Sequence, residues 1–148
     1  MKILTNREYG KFLSEIKARI ITARIQAVRS VNKELIKLYW DIGKTIVKRQ
    51  EQYKWGNAVV EKLALDLAEE FNGVSGFSVQ NLWRMRLLYL GYKDNAKLAQ
   101  LVREIPWGQN IVIMQMVKDA KEREYYIRAT AEMGWSRNVL LNYGDTYN

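Results

Sequence analysis

Apolar residues recur at Tyr9, Leu13, Ile16, Ile20, Ala27, Val31, Leu35, Leu38, Ile42 and Ile46, three or four apart with one gap of seven. That is the period of one helical face, and only Arg24 breaks it. No glycine or proline falls between Lys11 and Ile42. The spacing therefore predicts either one helix of about forty residues or a pair kinked near Asn32. A single helix of that length spans ~60 Å at 1.5 Å per residue, more than a body of this size covers alone. Its stripe then needs a further partner, for which a second copy of the chain is the expectation.

After a break over Gln50–Gly56, the residues Val59, Val60, Leu63, Ala64, Leu67 and Phe71 form another helical face, with Glu61, Asp66, Glu69 and Glu70 mostly opposite. Asp66, Glu69 and Glu70 share one side, as ligands of a hard cation do, but no turn or fourth oxygen ligand accompanies them. They read as a solvated face. Asn72-Gly73-Val74-Ser75-Gly76 is a turn by composition, its glycines supplying positive φ. Ser78 then caps the next helix and Phe77 staples its entry. Helix, glycine-containing turn and Ser-capped helix outline a helix-turn-helix, a punctuation shared with ordinary helical hairpins. On the second helix Leu82, Met85 and Tyr89 form the core stripe. Gln80 and Arg84 point the opposite way and Asn81 lies at the flank. An amide and a guanidinium at a helix amino terminus suit base edges, and plain surface polarity is the competing reading. Arg86, beside the core stripe, is expected in a structural ion pair or on a phosphate.

Beyond Ile105-Pro106-Trp107-Gly108, helices are expected from about Gln109 to Asp119 and from Ala120 to Met133. The apolar run Ile111–Met114 also fits a short strand. Gly134-Trp135-Ser136 ends one helix and caps another reaching about Tyr143, and the last four residues look frayed. Tyr126, Ala129 and Met133 read as a buried face, although Arg123, Tyr125, Tyr126 and Arg128 mix basic and aromatic groups as nucleic-acid surfaces do. Five tryptophans, three of them beside a glycine, suit close packing better than base stacking.

Charge sharpens this picture. The net charge is +8 over 148 residues, and the whole excess lies in residues 1–54. Lys17, Arg24, Lys33, Lys37, Lys44 and Lys48 fall mostly off the apolar stripe and build a basic face, suited to phosphate polymers or, more blandly, to solubility. With no cysteine and no histidine, disulfide scaffolds, thiolate metal sites and His-based catalysis are excluded. No apolar run approaches the ~20 residues of a membrane span and no signal-peptide segment opens the chain, so a cytoplasmic location away from membranes is expected.

Several short motifs then stand in order: Tyr39-Trp40-Asp41-Ile42-Gly43, Trp55-Gly56, Gly76-Phe77-Ser78 with Asn81-Leu82 and Met85-Arg86, Pro106-Trp107-Gly108, Arg123 with Tyr126, and Gly134-Trp135-Ser136-Arg137 with Leu140. In this series the chain resembles the YhcG family over roughly residues 8–143. The resemblance implies a bacterial, amino-terminal helical domain similar to a winged or plain helix-turn-helix, which in the family precedes a PD-(D/E)XK nuclease domain. Three positions depart from the family's pattern: Asn72 where proline is common, Gln80 where arginine is, and Gln109 where histidine is. The Gln80 change falls on the expected reading face. Glu15-Ile16-Lys17 has the E-x-K form of such nucleases but sits in a helical pattern with no aspartate before it, so this chain is expected to lack the catalytic residues.

The expectation is a single all-α domain over residues 1–148. A basic long helix spans about 7–50, a plain or winged helix-turn-helix about 58–91, and carboxy-terminal helices about 109–143. Its expected function is DNA binding that targets a nuclease domain, through Ser78, Gln80, Asn81 and Arg84 with Lys33, Lys37, Lys44 and Lys48. The alternative is a homo-oligomerisation or protein-interaction module. A homodimer is expected, and no cofactor or metal.

Overall fold

The computed structural model describes residues 6–147. They form seven α-helices: α1 (Asn6–Tyr53), α2 (Asn57–Glu70), α3 (Val79–Tyr92), α4 (Ala96–Leu101), α5 (Trp107–Met116), α6 (Ala120–Met133) and α7 (Arg137–Tyr147), with a 3₁₀ turn at Val102–Glu104. No strand occurs among the described residues. The wing expected at Ile111–Met114 is therefore absent: those residues lie inside α5, and Val112, Ile113 and Met114 are buried there. The short helix α4 and the 3₁₀ turn were not foreseen. No described helix is long and apolar enough to cross a membrane.

Local chemistry sets most of the boundaries. Asp119 caps α6 by accepting from the Glu122 N–H at 3.1 Å, and Gly134 ends it in the left-handed region at φ 66°. Ser78 caps α3 through the Asn81 N–H, Asn95 caps α4 through that of Leu98, and Ser136 accepts from the Val139 N–H at the start of α7. Helix α7 runs past the expected end near Tyr143, to Tyr147. The connection from α2 to α3 spans Phe71–Ser78, longer than the three or four residues of a compact helix-turn-helix. Gly73 and Gly76 take positive φ within it, as their composition required.

Helix α1 runs without a break for 48 residues, ~72 Å at 1.5 Å per residue. Its carboxy-terminal half is packed into the body, where Ile36, Tyr39, Gly43, Ile46 and Val47 are buried against α3 and its neighbours, while the amino-terminal half touches it through Arg29, which donates to the Ala131 carbonyl of α6 at 3.3 Å. Two clusters make up the core. One gathers Ile36, Leu88, Tyr92, Leu98, Ile105, Ile113, Ile127 and Leu140 from α1 and the carboxy-terminal helices; the other joins Tyr39, Ile46, Val60, Ala64, Leu82 and Met85. Helix α3 contributes to both, so it is the central element. The expected buried face of α6 holds for Tyr126 and Ala129, but Met133 is exposed at the last position of the helix, beyond the neighbours that cover the others.

Candidate nucleic-acid interface

The start of α3 is fixed by one amide. Asn81 donates from Nδ2 to the Gly76 carbonyl at 2.5 Å and accepts at Oδ1 from the Trp107 indole N–H at 2.7 Å. It also hydrogen-bonds the Tyr39 side chain, opposing the burial that pushes this hydroxyl above the ordinary tyrosine value. Tyr39 in turn meets Trp107 edge-on, with centroids 4.9 Å apart. Helix α1, the 71–78 turn, α3 and α5 are thus tied at one buried residue. Asn81, expected to face base edges, has both ends of its amide engaged internally.

Gln80 is exposed and Arg84 half-buried on the side of α3 away from Leu82, Met85 and Tyr89, which are buried as expected. Ser78 spends its hydroxyl on the helix cap. Arg86 donates from Nε to Gln50 Oε1 at 2.8 Å and lies over the Trp83 ring, 5.5 Å from its centroid. It is a structural group, although its partner is an amide and not the expected carboxylate.

Lys33, Lys37, Lys44 and Lys48 are all exposed, and none makes an ion pair among the described residues. At ~100° per residue they fall within one arc of about 60° on α1, spread along ~22 Å of axis. The segment bearing them is the anchored half of the helix, so the row is held rigidly on the body. Lys17 and Arg24 of the expected basic face point elsewhere on the free half. Glu15 of the E-x-K tripeptide pairs with Arg19 at 3.0 Å on exposed helix. No group of three His, Cys, Asp or Glu forms a metal-type cluster among the described residues, and Asp66 pairs with Lys62 at 3.2 Å.

The other short motifs prove to be packing devices. Trp40 meets Tyr89 edge-on at 5.4 Å, and Trp135 stacks on Tyr143 at 4.6 Å. Gln109, where the family pattern has histidine, donates to the Trp135 carbonyl at 3.3 Å. Arg123 donates to the Val117 and Met114 carbonyls at the end of α5 and lies over Tyr92.

Residues 15–146 match the family described as the DUF1016 N-terminal domain. The chain belongs to that family. It is 26% identical over 151 residues to a protein of Escherichia coli (strain K12) named "Putative nuclease YhcG", an alignment covering 80% of this chain and 40% of that relative. The chain thus spans well under half the length of the curated relative it matches. No solved structure matches it. In this DUF1016 N-terminal domain, motif residues sit at helix contacts: Gly43 against Met85, Trp107 against Asn81, and Gly108 against Arg137.

Sequence reasoning missed one surface. Leu38 and Ile42 of α1 and Leu63 and Leu67 of α2 line an open apolar groove of about 660 Å³, together with Phe71, Val74 and Phe77. The signal was present in the two apolar stripes, but nothing local says that α2 stands off from α1.

Proposed function

We propose that this domain binds DNA and positions a nuclease domain that accompanies it in longer family members, in the bacterial cytoplasm. The observation that carries the reading is the row Lys33, Lys37, Lys44 and Lys48: four exposed cations, without ion-pair partners among the described residues, on one face of the anchored half of α1. A rigid row of this kind suits phosphates, which hold and orient a duplex without reading it. Reading falls to Gln80 and Arg84 on the outer face of α3, with Ser78 holding the first turn and Asn81 fixing the helix from behind. The α2–turn–α3 unit then acts as a helix-turn-helix with an extended turn. The relative's name as a nuclease fits a partner of this class.

A mobility-shift titration of a labelled duplex at two salt concentrations, with competitor DNA, tests this. Saturable retardation that weakens at the higher salt is expected. An unshifted duplex at low salt would defeat the reading. An assembly module without direct DNA contact is the second reading, favoured by the apolar residues exposed along the free half of α1.

A further inference from the structure

Every side chain described between Asn6 and Val31 is exposed, including Leu13, Ile16, Ile20 and Val31. The stripe they belong to continues into the anchored half of α1, where Leu35 is half-buried against the second core cluster and Ile46 is buried in it. There Leu38 is 47% exposed and Ile42 half-buried, both on the wall of the 660 Å³ groove against α2. Its positions repeat every eleven residues: Tyr9, Ile20, Val31 and Ile42 form one row, Leu13, Arg24, Leu35 and Ile46 a second, and Ile16, Ala27 and Leu38 a third. Eleven residues in three turns is ~3.67 per turn, close to the natural helix, so the stripe stays on one side of a nearly straight rod.

We propose that this stripe pairs antiparallel with the same stripe of a second copy, centred on Ala27. The first turns of each α1 then sit in the α1–α2 groove of the other. This deepens the assembly reading and does not depend on DNA. In that register Leu13 faces Ile42, Ile16 faces Leu38 and Ile20 faces Leu35, while the small Ala27 meets its own counterpart on the two-fold axis, where close approach is needed. Arg24, the one charged position of the stripe, falls beside Val31. Parallel pairing would instead set Arg24 against Arg24 and leave the free end outside the groove.

The lengths agree. The exposed half, residues 6–31, covers ~39 Å and touches its own body near Arg29 on a different face from the stripe; the anchored half, 32–53, covers ~33 Å, so each exposed half spans the other copy's anchored half. Two helices in contact along ~56 Å, each ~10 Å wide, bury about 1,100 Å² together. The groove walls add to this and bring the contact into the range of roughly 1,200–2,000 Å² typical of stable interfaces. Each interface of this kind is isologous and closes at two copies.

Because the chain has no cysteine, single introduced thiols report the register without background. Sedimentation of the unmodified chain at tens of micromolar should show a dimer. Ile20→Glu, outside the core, should give a monomer that still unfolds cooperatively, with a melting temperature that no longer rises with chain concentration. Under mild oxidation Ala27→Cys should link to itself, Leu13→Cys should not, and an equimolar mixture of Ile16→Cys and Leu38→Cys should give the mixed dimer. A monomeric parent, or a dimer that survives Ile20→Glu, overturns the surface and with it this form of assembly. A dimer in which Leu13→Cys self-links overturns the antiparallel register while leaving assembly standing.

Discussion

Gly43 lies directly beneath the backbone of Met85: a Cβ built on it would stand 2.1 Å from the Met85 carbonyl oxygen and 2.6 Å from its carbon. This contact sets how closely α1 and α3 approach, and so places the lysine row relative to Gln80 and Arg84. Gly43→Ala gains ~1 kcal/mol of helix propensity, but the clash is with backbone and cannot be relieved by a rotamer. A net loss of about 1–3 kcal/mol in urea unfolding is expected. Gly10→Ala, with nothing within 4 Å of the new methyl, should instead raise the helicity of the free half.

Asn81 is expected to matter for stability and not for base recognition. Asn81→Ala strands the Trp107 indole N–H and the Gly76 carbonyl, each worth about 1–3 kcal/mol when left unpaired. A stability loss of that order should appear in denaturant titrations as a lower midpoint. DNA affinity per folded molecule should be unchanged.

The reach of the sequence can be judged from these same residues. Where a boundary is set within a few positions, as by Asp119 and Gly134 on α6, the chain states it locally and the expected span Ala120–Met133 is the observed one. The role of Asn81 depends on Trp107, twenty-six residues away, and no local rule joins them. The long stripe of α1 shows the same limit: its period establishes a helix, yet the face that enters the core is a different one, carrying Ile36, Tyr39, Gly43 and Val47. Of the stripe itself only Ile46 is fully covered. Periodicity tells which residues share a face; it does not tell what that face meets. The exposed lysines were legible because charge and spacing are local, whereas the groove was not, since it depends on where α2 sits.

Arg84→Ala should separate reading from holding. If Arg84 meets a base edge, the change costs ~1–3 kcal/mol on a preferred duplex and little on an unrelated one. Stability should move by less than about 1 kcal/mol, because the guanidinium is only half-buried. Leu82→Ala is the contrast: that side chain is fully buried and its loss should cost about 2–5 kcal/mol in unfolding. Competition binding with the two duplexes checks both.

Alkaline stability should depend on Tyr92. Burial pushes its hydroxyl above the ordinary value of 10.0, with the Arg123 guanidinium, 5.3 Å from the ring centroid, opposing part of the shift. A folded-state value above the unfolded one means that the folded chain holds this proton longer. Stability from the buried neutral ring is then complete below the unfolded value and falls as pH rises through it toward the folded one. Arg123 is the polar group acting on this hydroxyl, so Tyr92→Phe should change stability by no more than about 1 kcal/mol at pH 7. Melting temperatures between pH 8 and roughly 11 should fall less steeply in the variant than in the parent.

The central claim is that a rigid row of lysines on α1 engages phosphates, and the salt dependence of duplex affinity tests it most directly. Each phosphate contact contributes a slope of about −0.9 in log affinity against log salt. Replacing Lys33, Lys37, Lys44 and Lys48 with alanine should flatten that slope by roughly one unit for each lysine in contact, with the fold unchanged because all four side chains are exposed. A variant that binds duplex as tightly as the parent, with the same slope, would contradict the account.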